Sequence, residues 1–244
     1  MKHLKLFENH QEYEAFVSGG TMVKPNVSHC AQEGDVYYNP YVDPYNGYAY
    51  VDLGLPSGTM WATMNVGASS ETDYGLYFAW GETQGYADAS TKKFRWSDYK
   101  YGTSSNLTKY NSTDSLTNLE FEDDAAAVNM GGEWHMPTKD QCEELFNTTY
   151  VTNTWVENYN GSGVNGHLFT SVSNGNTLFI PAAGFYQEGE MHYGYGIGEV
   201  GTVWASSIGD YVYNACCFGF NNNEAAIIDI EGRCIGRSVR GVIG

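Results

Sequence analysis

Basic residues are scarce in this chain of 244 residues. Lys and Arg together number 12 against 29 Asp and Glu, so the formal net charge at pH 7 is −17. A chain this acidic repels phosphate groups, and we therefore expect no nucleic-acid partner. Anionic membrane surfaces are disfavoured for the same reason.

Long apolar runs are also lacking. No stretch approaches the roughly 18 apolar residues that a membrane-spanning helix needs, so we expect no membrane insertion. Residues 1–9 contain basic residues but no apolar core of the kind a secretion signal carries, which predicts that there is no signal peptide.

Motifs for metal binding and catalysis are missing as well. The five cysteines (Cys30, Cys142, Cys216, Cys217 and Cys234) form no Cys-x-x-Cys, and the six histidines form no His-x-His or His-Glu-x-x-His. An odd cysteine count without a secretion signal predicts free thiols. The nucleophile motif Gly-x-Ser-x-Gly does not occur, and no predicted strand is followed by a phosphate-binding glycine loop. We expect no enzyme, no cofactor and no bound metal.

The acidic residues at 122–124 are candidates for a calcium site. Glu122, Asp123 and Asp124 offer carboxylates but lack the alternating ligand pattern of a calcium loop. The preferred interpretation is that they are acids at the start of a helix, where the helix dipole favours them.

Glycine and tyrosine are abundant, at 29 and 20 residues, and apolar residues make up 42% of the chain. This composition favours an ordered, loop-rich protein with many strands. Strand-like runs, several of them joined by Gly-containing turns, are expected at 50–54, 59–66, 166–171, 177–181, 202–207, 215–220 and 233–242. Residues 83–115 are polar and are expected to form a long surface excursion.

Two helices are predicted between these strands. Thr138 and Gln141 form a capping box, followed by the apolar face Cys142, Leu145 and Phe146. A weaker helix is predicted over 122–129 and ends at Gly131-Gly132. Two helices with many short, mostly antiparallel strands predict an α+β domain over residues 46–244.

Residues 1–45 differ from the rest, with a short helix predicted over 10–17 and polar, proline-interrupted segments after it. They carry too little apolar surface for a core of their own. We expect an attachment or assembly arm that packs against the main domain, a sister subunit or a larger assembly.

Several sequence blocks together resemble one family. They are 51–62 (VDLGLPSGTMWA), 65–68 (NVGA), 77–83 (YFAWGET), 123–126 (DDAA), 131–138 (GGEWHMPT), 179–184 (FIPAAG) and 238–240 (SVR). The chain is similar in these blocks to the Fibrobacter succinogenes major paralogous domain, common in gut Bacteroidetes and their phages. The resemblance covers about residues 48–244 and implies a C-type lectin-like fold.

Some members of that family are the variable proteins of diversity-generating retroelements, in which adenine-directed mutation diversifies a C-terminal ligand-binding face. Two departures from the family pattern suit this origin: Ala205 within Trp-Ala-Ser-Ser, and Gly241 within Arg-Gly-Val. Residues 201–244 also contain no Lys, Met or Gln, residues that randomised adenines in an Asn codon do not produce. Three of the five cysteines lie in this stretch, and we expect them to be exposed products of mutation.

Strand alternation separates scaffold from candidate site in the variable region, about residues 203–241. Trp204, Phe218 and Phe220 are expected to face the core, as are Trp61, Trp80 and Trp134 in the other family blocks. The candidate ligand-binding residues are Ile208, Gly209, Asp210, Tyr211, Tyr213, Asn214, Cys216, Cys217, Gly219, Asn221, Asn222, Cys234, Ile235 and Arg237.

The resemblance implies a receptor-binding or adhesion protein. Its expected partner is a host cell-surface protein or other macromolecule, with residues 1–45 serving homo-oligomer or virion assembly. A phage virion is the favoured location, and the bacterial surface or the cytoplasm are alternatives. The alternative function is a fixed structural or carbohydrate-binding module of a bacterial surface protein. Calcium-dependent sugar lectins use Glu-Pro-Asn or Gln-Pro-Asp, and neither tripeptide occurs here.

Overall fold

The structure is a computed structural model that describes residues 21–22, 35–36, 44–191 and 196–244, with 21–22, 35–36 and 227–231 described as backbone only. The chain divides into two compact units, Met1–Tyr50 and Val51–Gly244. Most of the predicted arm, including its predicted helix, lies outside the described residues. Its two described segments, Thr21–Met22 (β1) and Asp35–Val36 (β2), pair in parallel.

Short strands dominate the described part of the chain. After β1 and β2 they are β3 (Tyr50–Asp52), β4 (Met60–Asn65), β5 (Tyr77–Phe78), β6 (Gly102–Thr103), β7 (Asn106–Leu107), β8 (Val151–Val156), β9 (Gly166–Ser171), β10 (Thr177–Pro181), β11 (Tyr186–Gln187), β12 (Glu190–Met191), β13 (Val200–Ile208), β14 (Asn214–Asn221), β15 (Ala225–Gly232), β16 (Arg237–Ser238) and β17 (Arg240–Ile243).

Two α-helices lie between the strands, α1 (Ala125–Met130) and α2 (Lys139–Leu145). Single 3-10 turns cover Trp96–Asp98, Phe121–Asp123 and Tyr159–Gly161. None of the helices in the described ranges has the length and apolarity to cross a lipid bilayer.

The largest sheet has the strand order β15-β14-β13-β16-β5, and smaller sheets have the orders β10-β9-β8 and β17-β4-β3. Nearly all of these strand pairs are antiparallel, with β13 and β16 as a parallel exception. The predicted α+β class with two helices and mostly antiparallel strands is confirmed.

The main core packs one face of the large sheet against α2. Val203 and Phe218 are cross-strand partners on this face, and both are buried together with Leu145 of α2. The ring of Phe218 meets that of Trp61 edge-on at 6.2 Å. Gly201 lies opposite Phe220, where an added Cβ would come within 2.0 Å of the Phe220 ring, so no larger residue fits at position 201.

The other face of the large sheet is covered too. Trp204 and Cys217 are partners on that face, and the Trp204 indole donates a hydrogen bond to the carbonyl of Phe78 at 2.9 Å. The Trp80 indole donates to the Ala205 carbonyl at 2.9 Å. The sheet is therefore a middle layer, buried on both sides.

Aromatic residues from 83–115 supply part of this second layer. Phe94 and Tyr110 are fully buried, and Tyr99 and Tyr101 nearly so. The rings of Trp80, Tyr110, Tyr101 and Tyr99 meet edge-on in succession, with centroids 5.1 to 5.8 Å apart. The expected surface excursion is only partly correct, because many of the polar residues are exposed while the aromatics placed among them anchor the segment in the interior.

The capping box predicted for α2 is confirmed. The Thr138 hydroxyl accepts a hydrogen bond from the Gln141 amide at 3.3 Å, and the Gln141 side chain accepts one from the Thr138 amide at 2.9 Å. Cys142 and Leu145 are buried as predicted, and Phe146 packs against the same core.

We expect Thr138→Ala to lower the free energy of unfolding by about 1 kcal/mol, because an N-cap side chain satisfies a helix donor that alanine leaves unpaired. Chemical denaturation measures the change, and Thr138→Ser should restore most of it. Thr149→Ala, at an exposed position after the helix, is the matched control. Equal effects at positions 138 and 149 would contradict the capping role.

The weaker predicted helix begins later than expected. Glu122 and Asp123 belong to the preceding 3-10 turn, and α1 starts at Ala125 after the N-cap Asp124. The Asp124 carboxylate accepts hydrogen bonds from the amides of Ala126 and Ala127, both at 2.9 Å.

The hairpin predicted over 166–181 is confirmed as β9 and β10, joined through Gly175, which has a φ of 78°. The four tryptophans predicted as scaffold, at 61, 80, 134 and 204, are all at most 1% exposed. Strand β15 was not predicted, and the expected strand over 233–242 is divided into β16 and β17.

Candidate ligand-binding site

An exposed loop connects β13 to β14 at one end of the large sheet. Tyr211, Val212 and Tyr213 are 59%, 43% and 38% exposed, although they are large apolar or aromatic residues. The rings of Tyr211 and Tyr213 stack at 5.6 Å with an interplanar angle of 9°. The loop therefore presents a continuous aromatic surface to solvent, and we call residues 209–213 the tyrosine loop.

Backbone hydrogen bonds close the tyrosine loop tightly. The amide of Gly209 donates to the Asn214 carbonyl at 3.0 Å, and the Asn214 amide donates to the Tyr211 carbonyl at 2.8 Å. These hydrogen bonds fix the backbone that carries the two rings, which reduces the conformational entropy lost when the loop binds a partner.

Arg233 supports the loop from beneath. This fully buried side chain donates from Nε to the Asn214 carbonyl at 3.1 Å and from Nη1 to the Tyr110 carbonyl at 2.9 Å. Its guanidinium lies 4.6 Å from the Trp80 ring centroid, a cation–π distance. The loop thus rests on the second layer of the sheet.

The structure divides the fourteen candidate residues by exposure. Asp210, Tyr211, Tyr213 and Asn222 are exposed, and Ile208, Gly209 and Asn221 are half-buried. The buried ones are Asn214, Cys216, Cys217, Gly219, Cys234, Ile235 and Arg237.

The expected exposure of the cysteines is wrong. Cys216, Cys217 and Cys234 are at most 4% exposed, since the sheet that carries the first two is covered on both faces. All three are free thiols, as is Cys142. Burial raises the pKa of Cys234 to about 12, so this thiol stays protonated and unreactive at neutral pH.

The outward orientation expected for Cys217 and Gly219 is also wrong. With Phe218 and Phe220 turned into the main core, these residues do point to the opposite face, but that face meets the second layer and not solvent.

Arg237 is likewise an interior residue. It is 1% exposed, and its guanidinium lies 4.6 Å from the Phe185 ring centroid and 5.1 Å from that of Trp204. Asn214 and Ile235 are buried as well, at 4% and 5% exposure. All three side chains therefore lie in the interior and not on the expected binding face.

The exposed candidates fall into two groups. Asp210, Tyr211 and Tyr213 precede β14, and Asn222 follows its other end, next to half-buried Asn221, the last residue of the strand. A strand of eight residues rises about 3.4 Å per residue, so the two groups are roughly 25 Å apart. A single small ligand does not span both.

Of the three candidate calcium ligands predicted at 122–124, Glu122 and Asp123 are paired with lysines, and Asp124 is the N-cap of α1. Lys109 Nζ lies 2.5 Å from Glu120, 3.7 Å from Glu122 and 2.6 Å from Asp123, and Lys100 lies 2.8 Å from Asp123. Burial alone raises the pKa of Asp123, but hydrogen bonds from both lysines outweigh it and hold that pKa well below its usual range. The carboxylates of Glu120, Glu122 and Asp123 converge within 4.8 Å, and the Lys109 ammonium contacts all three.

Comparisons of the chain with models of known protein families, with curated protein sequences and with solved structures gave no match.

Proposed function

We propose that this chain is a ligand-binding protein of the receptor-binding or adhesion type, with a C-type lectin-like scaffold that displays the tyrosine loop. The observation that carries the proposal is the stacked, exposed pair Tyr211 and Tyr213 on a loop closed by its own backbone and supported by buried Arg233. Tyrosines supply large contact areas at low conformational cost, as they do in antibody binding loops.

The proposed scaffold rests on the sequence blocks that resemble the Fibrobacter succinogenes major paralogous domain. Those blocks supply buried parts of the fold, among them Trp61, Trp80 and Trp134. The mixed arrangement of two helices and short antiparallel strands is compatible with a C-type lectin-like fold.

Diversification by a retroelement is part of the same proposal, and it now rests on fewer residues. The buried cysteines no longer support it. The exposed loop residues remain compatible with it, because Asp210, Tyr211, Val212 and Tyr213 each have a codon that AAC reaches when only adenines change. A near-repeat of the 3′ end of the gene that differs only at adenines, beside a reverse transcriptase gene, would establish this origin.

The proposed partner is a surface protein of a gut bacterium, recognised without metal. The exposed tip of the tyrosine loop consists of Tyr211, Val212 and Tyr213, and the preceding loop residue is Asp210. The chain as a whole carries a net charge of −17. We propose that residues 1–45 attach the domain to a phage virion or to other copies of the chain.

We expect Tyr211→Ala and Tyr213→Ala each to weaken partner binding by about 1–2 kcal/mol, because central exposed aromatics dominate interface energies. The measurement is binding of the full chain to detergent-solubilised outer-membrane proteins of gut Bacteroidetes, followed by titration of the captured protein. Thermal unfolding should be almost unchanged, since both rings are exposed.

Val172→Ala is the matched control, because Val172 is 58% exposed on the β9–β10 turn and lies outside the tyrosine loop. It should bind as the unmodified chain does. Full affinity in the double tyrosine variant, or loss of binding on addition of a chelator, would contradict the proposed function.

A further inference from the structure

A polar cleft lies between the edge strand β8 and the turn that joins β14 to β15. Two adjoining hollows of about 400 and 310 Å³ share Trp155 and the side chains of residues 221–223. The cleft is at the opposite end of β14 from the tyrosine loop. Its main residues, Trp155 and His167, lie outside the proposed variable region.

Trp155 and His167 form the wall of the cleft on the side of β8 and β9. They are direct cross-strand partners, and their rings meet at 5.9 Å with an interplanar angle of 67°. His167 is 4% exposed and stacks on Phe220 at 4.8 Å. Trp155 is half-buried, so part of its indole remains available at the cleft.

One ring nitrogen of His167 is assigned by its partner. Nε2 lies 3.0 Å from the carbonyl oxygen of Asn221, and because a carbonyl only accepts, Nε2 carries the proton. Burial lowers the pKa of His167, so the ring is neutral at neutral pH. Its Nδ1 is therefore a hydrogen-bond acceptor.

That acceptor and a neighbouring donor are both unsatisfied. Within the described residues, neither His167 Nδ1 nor Trp155 Nε1–H has a hydrogen-bond partner, and both atoms are shielded from solvent. A buried polar group without a partner costs roughly 1–3 kcal/mol. The two contacting rings thus offer one donor and one acceptor that nothing in the described chain uses.

Amides surround the ring pair. Asn153, Asn222 and Asn223 line the cleft. Glu157 and Glu199 add carboxylates to one hollow and Glu224 adds one to the other, and no Lys or Arg is among the residues that line them. This lining favours a neutral ligand rich in hydrogen-bonding groups and opposes an anion.

We propose that this cleft is a binding subsite for one neutral pyranose ring of a saccharide. A hydroxyl group both accepts and donates hydrogen bonds, so hydroxyls match the donor Trp155 Nε1–H and the acceptor His167 Nδ1. A pyranose presents several hydroxyls to the asparagine amides and an apolar C–H face to the indole. Because both ring nitrogens are shielded from solvent in this structure, the proposal includes a local opening of the cleft around them.

The subsite shares Asn221 and Asn222 with the candidate ligand-binding residues, but it contains no residue of the tyrosine loop, which lies at the other end of β14. The proposed ligand contacts are the neutral indole, imidazole and asparagine amide groups, so the proposal includes no metal.

The test is a titration of the full chain, followed by the indole and amide signals in ¹H–¹⁵N spectra. The probes are methyl β-D-glucopyranoside, methyl β-D-galactopyranoside, methyl α-D-mannopyranoside and N-acetylglucosamine, each with EDTA present. At least one should shift the Trp155 indole and the Asn222 and Asn223 amides saturably, with a Kd of about 1–10 mM for a ligand of this size. The Trp204 indole, which is fully buried, should not move. Glucuronate should bind at least about tenfold more weakly because of Glu157 and Glu199.

Variants separate the subsite from the fold and from the tyrosine loop. Trp155→Phe keeps a ring and removes the donor, and it should weaken binding about threefold to tenfold. Asn222→Ala and Asn223→Ala, both at exposed positions, should weaken it without changing the melting temperature. The double variant Tyr211→Ala, Tyr213→Ala should bind saccharide normally even where it has lost its protein partner. The proposal is overturned if none of the four probes gives saturable shifts, if binding needs a divalent cation, or if Trp155→Phe binds as tightly as the unmodified chain.

Discussion

Trp204→Ala is expected to lower the free energy of unfolding by about 3–5 kcal/mol, the range for removing a fully buried large side chain. Trp204 is 0% exposed, and its indole donates to the Phe78 carbonyl at 2.9 Å. Its ring also meets the Arg237 guanidinium at 5.1 Å. The substitution therefore leaves a cavity, removes a hydrogen bond to the Phe78 carbonyl and takes away one of the two rings beside the Arg237 guanidinium. Denaturant unfolding, monitored by circular dichroism, measures the loss.

Two variants calibrate this result. Trp204→Phe keeps most of the ring volume and removes the indole donor, so its effect should be clearly smaller than that of alanine. Tyr211→Ala removes an aromatic ring that is 59% exposed, and it should hardly change stability. Unchanged stability in Trp204→Ala together with lost partner binding would move Trp204 from the scaffold to the binding surface.

The sequence was most informative where the signal is local. The capping box of α2 needs only Thr138 and Gln141, three residues apart, and the β9–β10 hairpin needs only alternating residues and an Asn-Gly turn. Both are formed by contacts between near neighbours. The burial of the four tryptophans was predicted from the apolar sequence segments in which they lie, because large rings beside glycine and other apolar residues are rarely exposed to solvent.

The second layer over the large sheet was not predictable in this way. Strand alternation correctly turned Phe218 and Phe220 into one core, but it does not say whether the other face meets solvent or protein. The answer depends on Phe94 and Tyr110, which come from about a hundred residues earlier and are surrounded by polar residues. The same contact between distant segments buries Cys217.

The candidate site shows the same division. Asp210, Tyr211 and Tyr213 were among the predicted ligand-binding residues, and they lie between the strand-like runs 202–207 and 215–220. Arg237 was predicted to lie at the surface because arginine is charged. In the structure its guanidinium is buried against the rings of Phe185 and Trp204. Strand β15 was missed although Ile227, Ile228 and Ile230 are strong strand formers, so a local signal for it was present in the sequence.

Arg240→Ala is the other substitution with a large expected effect, a loss of at least about 3 kcal/mol in the free energy of unfolding. Arg240 is 0% exposed and ties three segments together. Its Nε donates to Asn65 Oδ1 at 2.9 Å, and Nη1 and Nη2 donate to the carbonyls of Ala62 and Phe179 at 3.0 and 3.3 Å. Burial lowers the pKa of Arg240, so the charge is held at a cost that these acceptors offset. Alanine removes the donor of all three hydrogen bonds and leaves a cavity, and urea unfolding should show the loss.

Three further variants identify the cause of that loss. Arg240→Met fills much of the same volume without donors, so it separates the hydrogen bonds from the cavity. Arg240→Lys keeps the charge, but a single ammonium does not reproduce the planar fork that meets acceptors on β4 and β10, so it should rescue little. Arg95→Ala removes a surface arginine that pairs with Asp98, and it should cost little because exposed ion pairs contribute little. If Arg240→Met were as stable as the unmodified chain, the three hydrogen bonds would not stabilise the junction of β4, β10 and β17, and side-chain volume alone would hold it together.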